Sequence, residues 1–188
     1  GIMLENGLIV DTGDVESVVS RYLKGDSKID NHKIWTNPAI KKDGFELSEI
    51  GVRKRGGEYT DIMRVDQENE LIVRYRLTKD FDQFHLTFHF KNEQGEKMFS
   101  SSGLMVGLPK KHEKGVYEQR CILSADYFNW GAISIDLLVV KNGKEVFLSE
   151  NDIVSFLLTD KEYEIGSWMG KEPGDVTPHF QYYEERIE

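Results

Sequence analysis

Phe84-His-Leu-Thr-Phe-His-Phe90 alternates without a break. Phe84, Leu86, Phe88 and Phe90 point one way; His85, Thr87 and His89 point the other. Strict period two is the signature of a β-strand with one buried and one wetter face. Leu71-Ile-Val-Arg-Tyr-Arg-Leu77 repeats the pattern, with Arg74 and Arg76 opposite Leu71, Val73, Tyr75 and Leu77. Further strands are expected over Glu46–Lys54, Lys97–Ser100, Gly115–Leu123, Ala132–Val140, Val146–Leu148 and Ile153–Leu158. Turn formers separate them, such as Asn92-Glu-Gln-Gly95 and Lys141-Asn-Gly-Lys144. No βαβ rhythm and no internal repeat interrupts the series. The chain is therefore expected to be all-β, an immunoglobulin-like or jelly-roll antiparallel β-sandwich.

The first residues do not fit that pattern. Ile2-Met-Leu and Leu8-Ile-Val10 flank Glu5-Asn-Gly7, and Asn-Gly is a strong hairpin signal. Val15, Val18, Val19, Tyr22 and Leu23 then fall at helical spacing, with Asp14 as N-cap and Gly25 as stop. The expectation is a short hairpin and helix over 1–24, too small to fold alone. A polar linker follows over 25–40, and the sandwich over 41–188. Ser124–Trp130 reads as a helical turn or corner. The turn-rich tail from Gly166 to Tyr183 is expected to cross as a loop and end as a strand on a sheet edge.

With 188 residues, 39% hydrophobic and 30% charged, the chain has enough apolar material for a real core. The net charge of −9 opposes phosphate backbones and anionic membrane surfaces, so no nucleic-acid partner is expected. Cys121, the single cysteine, reads as a buried small hydrophobe, and low cysteine use suits a reducing cytoplasm. No leader segment and no membrane-length apolar run is apparent, so this chain is not expected to be exported or inserted by itself.

No catalytic constellation emerges. GxxxxGK[ST], GxGxxG, HExxH and CxxC are all missing. His85 and His89 are four apart on a strand, roughly 13 Å, too far to share one ion. Ser100-Ser-Ser-Gly103 lacks a nucleophile elbow and reads as a loop. The expectation is no catalytic residue, no metal and no cofactor. What remains is a polar surface. Arg74, Arg76, His85, Thr87 and His89 lie outward on two consecutive strands, expected to be neighbours. Glu118, Arg120, Ser134 and Asp136 lie outward on later ones. Such donors and acceptors suit sugar hydroxyls, and Tyr127, Trp130 or Trp168 can stack on a pyranose ring. These nine polar residues are the candidate carbohydrate site.

The opening segment also resembles the close of an ABC-transporter nucleotide-binding domain, on Asn6-Gly7, Ile9-Val10, Gly13-Asp14, and Val18 to Tyr22-Leu23. The ATPase motifs themselves are not in this chain. Such an ending, a linker and an all-β domain together resemble Wzt, the ATPase family of polysaccharide export. Leu123–Leu137 is similar to that family's corner-then-strand passage, and Pro173…Pro178…Phe180 to its tail. The resemblance implies binding of O-antigen polysaccharide without catalysis. It also implies a homodimer through exchanged terminal strands, and a membrane permease reached through the parent ATPase. The expected location is cytoplasmic, peripheral to the inner membrane. The alternative reading is a dimerisation or regulatory β-domain that docks a protein partner.

Overall fold

The computed structural model describes residues 1–13, 18, 29–162, 166, 170–178 and 182–186. Eleven strands are present among these residues: β1 (Ile2–Glu5), β2 (Leu8–Thr12), β3 (His32–Ile34), β4 (Lys41–Lys42), β5 (Phe45–Lys54), β6 (Asn69–Leu77), β7 (Phe84–Lys91), β8 (Lys97–Ser102), β9 (Gly115–Leu123), β10 (Gly131–Lys141) and β11 (Glu145–Leu158). A 3₁₀ turn over Gly103–Val106 follows β8.

β1 and β2 form a separate hairpin. Asn6 and Gly7 have φ of 49° and 81°, the left-handed pair that a type I′ turn requires. Its apolar side chains stay exposed, Ile2, Leu4, Leu8 and Ile9 among them. The helix expected over Val15–Leu23 lies outside the described residues, apart from Val18, which is helical and buried.

The other strands make a β-sandwich, as the alternation predicts. One sheet has the order β11-β10-β7-β8, the other β3-β5-β6-β9, with β4 added to β5. All their pairings are antiparallel. β7 and β8 pair as a hairpin in the first sheet. β6 and β9, which flank that hairpin in sequence, pair in the second. This nesting is that of a jelly roll. The outermost strands pair locally: β5 with β6, and β11 with β10.

The residues assigned inward are the core. Leu71, Val73, Tyr75 and Leu77 face Phe84, Leu86, Phe88 and Phe90 across the sandwich, and Ile133, Ile135, Leu137 and Val139 complete the first sheet's wall. All twelve are buried. Burying a side chain of this size contributes about 1.5–3 kcal/mol, before conformational entropy is set against it. β5 is less regular because a bulge falls between Leu47 and Glu49. Leu47 and Ile50, three apart, therefore both face the core, and Glu49 is turned to the outer face.

Several expectations change. The stretch 25–40 is not wholly a linker, since β3 within it pairs with β5 at His32↔Gly51 and Ile34↔Glu49. Ser100–Ser102 is strand rather than loop. Ser100 pairs with His89, and Ser102 pairs with Thr87 and caps the 3₁₀ turn with its hydroxyl. Val146–Leu148 and Ile153–Leu158 belong to one continuous strand, β11. Ser124–Trp130 is a corner without helix, and Phe128 bridges to Val176 of the tail. No strand is assigned to residues 182–186.

Candidate functional site

The largest correction concerns the candidate residues. β6 and β7 are consecutive but not neighbours, because the chain crosses from one sheet to the other between them. Arg74 and Arg76 thus lie on one outer face with Glu118 and Arg120. His85, Thr87 and His89 lie on the opposite outer face with Ser134 and Asp136.

On the β6 face, most charges are matched to one another. Glu49, only 6% exposed, receives three partners. Arg74 donates from Nη1 to its Oε2 at 2.8 Å, the Tyr59 hydroxyl donates to Oε1 at 3.1 Å, and His32 Nε2 lies 3.0 Å from Oε1. The other side of Arg74 donates from Nε to Glu118 at 2.6 Å, and Arg120 donates to Glu118 at 2.6 Å. Arg120 also reaches buried Glu70 at 3.7 Å, and Arg53 donates to Glu70 at 3.0 Å. The Tyr59 ring closes the circle, stacked 3.6 Å from His32 with the Arg53 guanidinium 5.3 Å from its centroid.

The electrostatics follow this circle. Arg74 and then Arg120 hold the Glu118 carboxyl below its ordinary value, and Glu118 raises both guanidinium groups in return. Burial, and then Glu49, pushes the Tyr59 hydroxyl up to about 12. Arg74, Glu118 and Arg120 are therefore committed to the protein itself. Both Glu118 oxygens and two Arg74 N–H groups are used in this way, so these residues clasp three strands together.

Arg76 is different. Among the described residues its side chain makes no hydrogen bond or ion pair, and it is exposed. It lines a pocket of about 240 Å³ with Trp35, Thr36, Pro38, Glu46, Ser48 and Val116. Pairing in the sheet places Glu46 on one side of Arg76 and Val116 on the other. Trp35 is fixed beside β5, where its backbone N–H donates to the Ser48 carbonyl at 2.9 Å. The pocket offers an indole, a guanidinium, a carboxylate and hydroxyls. That is the chemistry that recognises a sugar, by ring stacking and paired donors and acceptors. Of these residues only Arg76 was among the expected site residues; Trp35, Glu46 and Ser48 were not. Trp35 sat in the supposed linker, and the pocket forms only through strand register.

The β7 face carries fewer charges. His85, Thr87 and His89 are half-buried and form a neutral row. Burial, then Lys110, lowers the affinity of His85 for a proton; burial, then Lys97, does the same for His89. Asp136 is not outward in the expected sense. It is 7% exposed and paired with Lys91 at 2.6 Å, and it accepts from the Asp152 N–H at 2.9 Å. Lys91 also meets Asp152 at 2.6 Å and holds its carboxyl below the ordinary value, with Ser134 as the second cause. Ser134 and Asp136 therefore belong to a second internal clasp.

The proposed stacking rings lie elsewhere. Tyr127 and Trp130 are at the corner between β9 and β10, not on a sheet face. Lys171 Nζ covers the Trp130 ring at 4.7 Å, and Tyr127 packs edge-on against Phe128 at 5.1 Å. Trp168 lies outside the described residues. Among the described residues no group of three His, Cys, Asp or Glu is placed to hold a metal ion. No described helix is long and apolar enough to cross a membrane.

Fold and pocket together define a class: an antiparallel β-sandwich with an aromatic and polar recess on one outer face. In fold, the chain is similar to the crystal structure of the C-terminal domain of Wzt, with a TM-score of 0.59. The likeness covers 92% of this chain and 98% of that one, at 12% sequence identity. No family model matches the sequence, and no curated protein matches it either.

Proposed function

We propose that this chain binds polysaccharide without catalysis and couples that recognition to ABC-transporter export. The fold likeness to nearly the whole C-terminal domain of Wzt is the observation that carries this reading. The opening hairpin supports it, since an Asn6-Gly7 turn of this form resembles the close of an ABC nucleotide-binding domain. On this reading residues 1–24 derive from such a domain, and the sandwich is the ligand-binding part. The ligand is an O-antigen polysaccharide of lipopolysaccharide synthesis, held on the β6 face at Trp35, Glu46 and Arg76. The protein works as a homodimer on the cytoplasmic side of the inner membrane, beside its permease. Binding consists of stacking and hydrogen bonds, and no bond is made or broken.

The test is a titration of the isotope-labelled chain with bacterial O-polysaccharides, followed by NMR. Saturable shifts centred on Trp35 and Arg76, lost in Arg76→Ala, are the expected result. Binding to no glycan, or binding that Arg76→Ala leaves untouched, sinks this assignment.

A further inference from the structure

Charge is not balanced evenly across the β6 face. Cross-strand pairing sets Glu49, Arg74 and Glu118 in one row, and each of them is engaged by its neighbours. The row two residues along β6 is different. Register places Lys41, Glu46, Arg76 and Val116 side by side on β4, β5, β6 and β9. Directly opposed residues share a face of the sheet, so Glu46 stands between two cations. Among the described residues, none of these three charged side chains makes a hydrogen bond or ion pair. Elsewhere the guanidinium groups are matched: Arg53, Arg55, Arg64, Arg74 and Arg120 each meet a carboxylate. In a chain of net charge −9, the row at the pocket therefore carries a surplus of positive charge.

The donors and acceptors of the pocket are equally lopsided. The Ser48 hydroxyl donates to the Arg74 carbonyl at 2.9 Å, so its oxygen is left to accept. The Glu46 carboxylate only accepts. Arg76 only donates, and its planar fork matches a carboxylate through two parallel hydrogen bonds. A ligand that satisfies all three brings hydroxyl donors to Glu46 and Ser48, and an anionic acceptor to Arg76. A neutral sugar brings the hydroxyls but no charge for Arg76. A surplus of one positive charge suits a carboxylate. A phosphate monoester, at about −1.5 to −2, overcharges a recess that already holds Glu46. The volume of about 240 Å³ falls below the usual range for drug-sized ligands, about 300–1,000 Å³, which suits one sugar residue.

We propose that the Arg76 pocket takes an acidic sugar, a hexuronate residue of the polysaccharide, with its carboxylate on the Arg76 guanidinium. The ring lies against Trp35, and its hydroxyls donate to Glu46 and Ser48. Lys41 offsets Glu46, so a second carboxylate enters the row without net repulsion. This deepens the glycan reading above and rests on it. It makes charge, and not only ring shape, the basis of selection. Because Arg76 and Lys41 are exposed, salt screens the attraction.

The experiment titrates the full 188-residue chain with matched sugars, followed by NMR. The probes are methyl glycosides of glucuronic, galacturonic and mannuronic acid, their neutral hexose counterparts, and glucose 6-phosphate. The best uronate is expected to bind about tenfold more tightly than its hexose, with shifts at Trp35 and Arg76. Raising salt from about 0.05 to about 0.5 M should shrink that preference. Arg76→Gln is expected to abolish it and Arg76→Lys to keep part of it. Lys41→Gln should reduce it roughly threefold, as for an exposed charge. Lys97→Gln, on β8 in the other sheet, should leave it intact. Uronates that bind no better than hexoses overturn the proposal, and so does a preference that Lys97→Gln lowers as much as Arg76→Gln. Glucose 6-phosphate binding as tightly as the best uronate overturns the assignment to a carboxylate. Should a variant fail to fold, the matched pairs and the salt series on the wild type still decide. O-polysaccharide binding at Trp35 and Arg76 with no uronate preference ends this proposal and leaves the glycan reading standing; binding to no glycan ends both.

Discussion

Arg74 Nη1 lies 2.8 Å from Oε2 of Glu49, and that contact decides what Arg74 is for. Glu49 is buried, while the Arg74 side chain is 49% exposed and also serves Glu118. Removing the arginine leaves a buried carboxylate with only His32 and Tyr59. Arg74→Ala is expected to lower stability by about 1–3 kcal/mol, the cost of a poorly satisfied buried charge. Urea denaturation measures it. An unchanged midpoint would mean that the clasp contributes nothing.

Arg76 has the opposite profile. It is exposed and has no side-chain partner among the described residues, so truncation leaves nothing buried and unpaired. Arg76→Ala is expected to change stability by less than about 0.5 kcal/mol. Glycan binding should fall about tenfold, roughly 1.4 kcal/mol. Calorimetric titration beside a melting curve separates the two effects, and a large stability loss with binding intact would contradict this assignment.

Gly51 is required by close approach rather than by its backbone angles. A Cβ there would sit 2.5 Å from the Tyr59 ring and 3.0 Å from the Asn31 carbonyl. Gly51→Ala must push Tyr59 off His32 and Glu49, at an expected cost of about 1–3 kcal/mol. Near-ultraviolet circular dichroism should report the displaced ring. A fully stable variant with an unchanged spectrum would show that Tyr59 is not held there.

His85 and His89 make stability depend on pH. Burial lowers both folded values below 6.5, so the unfolded chain takes up protons first on acidification. This stability is complete above the unfolded value near 6.5 and is lost as pH falls through the folded values. The melting temperature is expected to drop between pH 7.5 and 5, and His85→Gln should flatten the slope. Glu118 and Asp152, both shifted down by their cationic partners, act only at lower pH. A melting temperature that rises on acidification would refute the assignment.

The sandwich was legible because alternation is a local property. Phe84–Phe90 and Leu71–Leu77 show which side chains face a core wherever the strand is placed. Alternation does not show which sheet a strand joins. Thr78–Gln83 is short enough for a hairpin loop, yet it carries the chain across the sandwich, and Arg74 parts from His85 there. β3 escaped notice because three residues beside polar neighbours leave no period to read. The pocket escaped because Trp35, Glu46 and Arg76 meet through register, which composition does not encode.

The nested order of strands has a kinetic consequence. β7 with β8 and β10 with β11 close short loops, whereas β6 pairs with β9 across the whole intervening hairpin. Asn69 pairs with Leu123, and Leu77 with Gly115, so this ladder closes a long loop and is expected to be late. Pulse-labelled hydrogen exchange should protect the β10–β11 amides before those of β9; simultaneous protection would refute the order. Until then β9 lacks its β6 partner. At high concentration the refolding chain should therefore lose yield to misassembly through β9, along whose second edge no described strand lies.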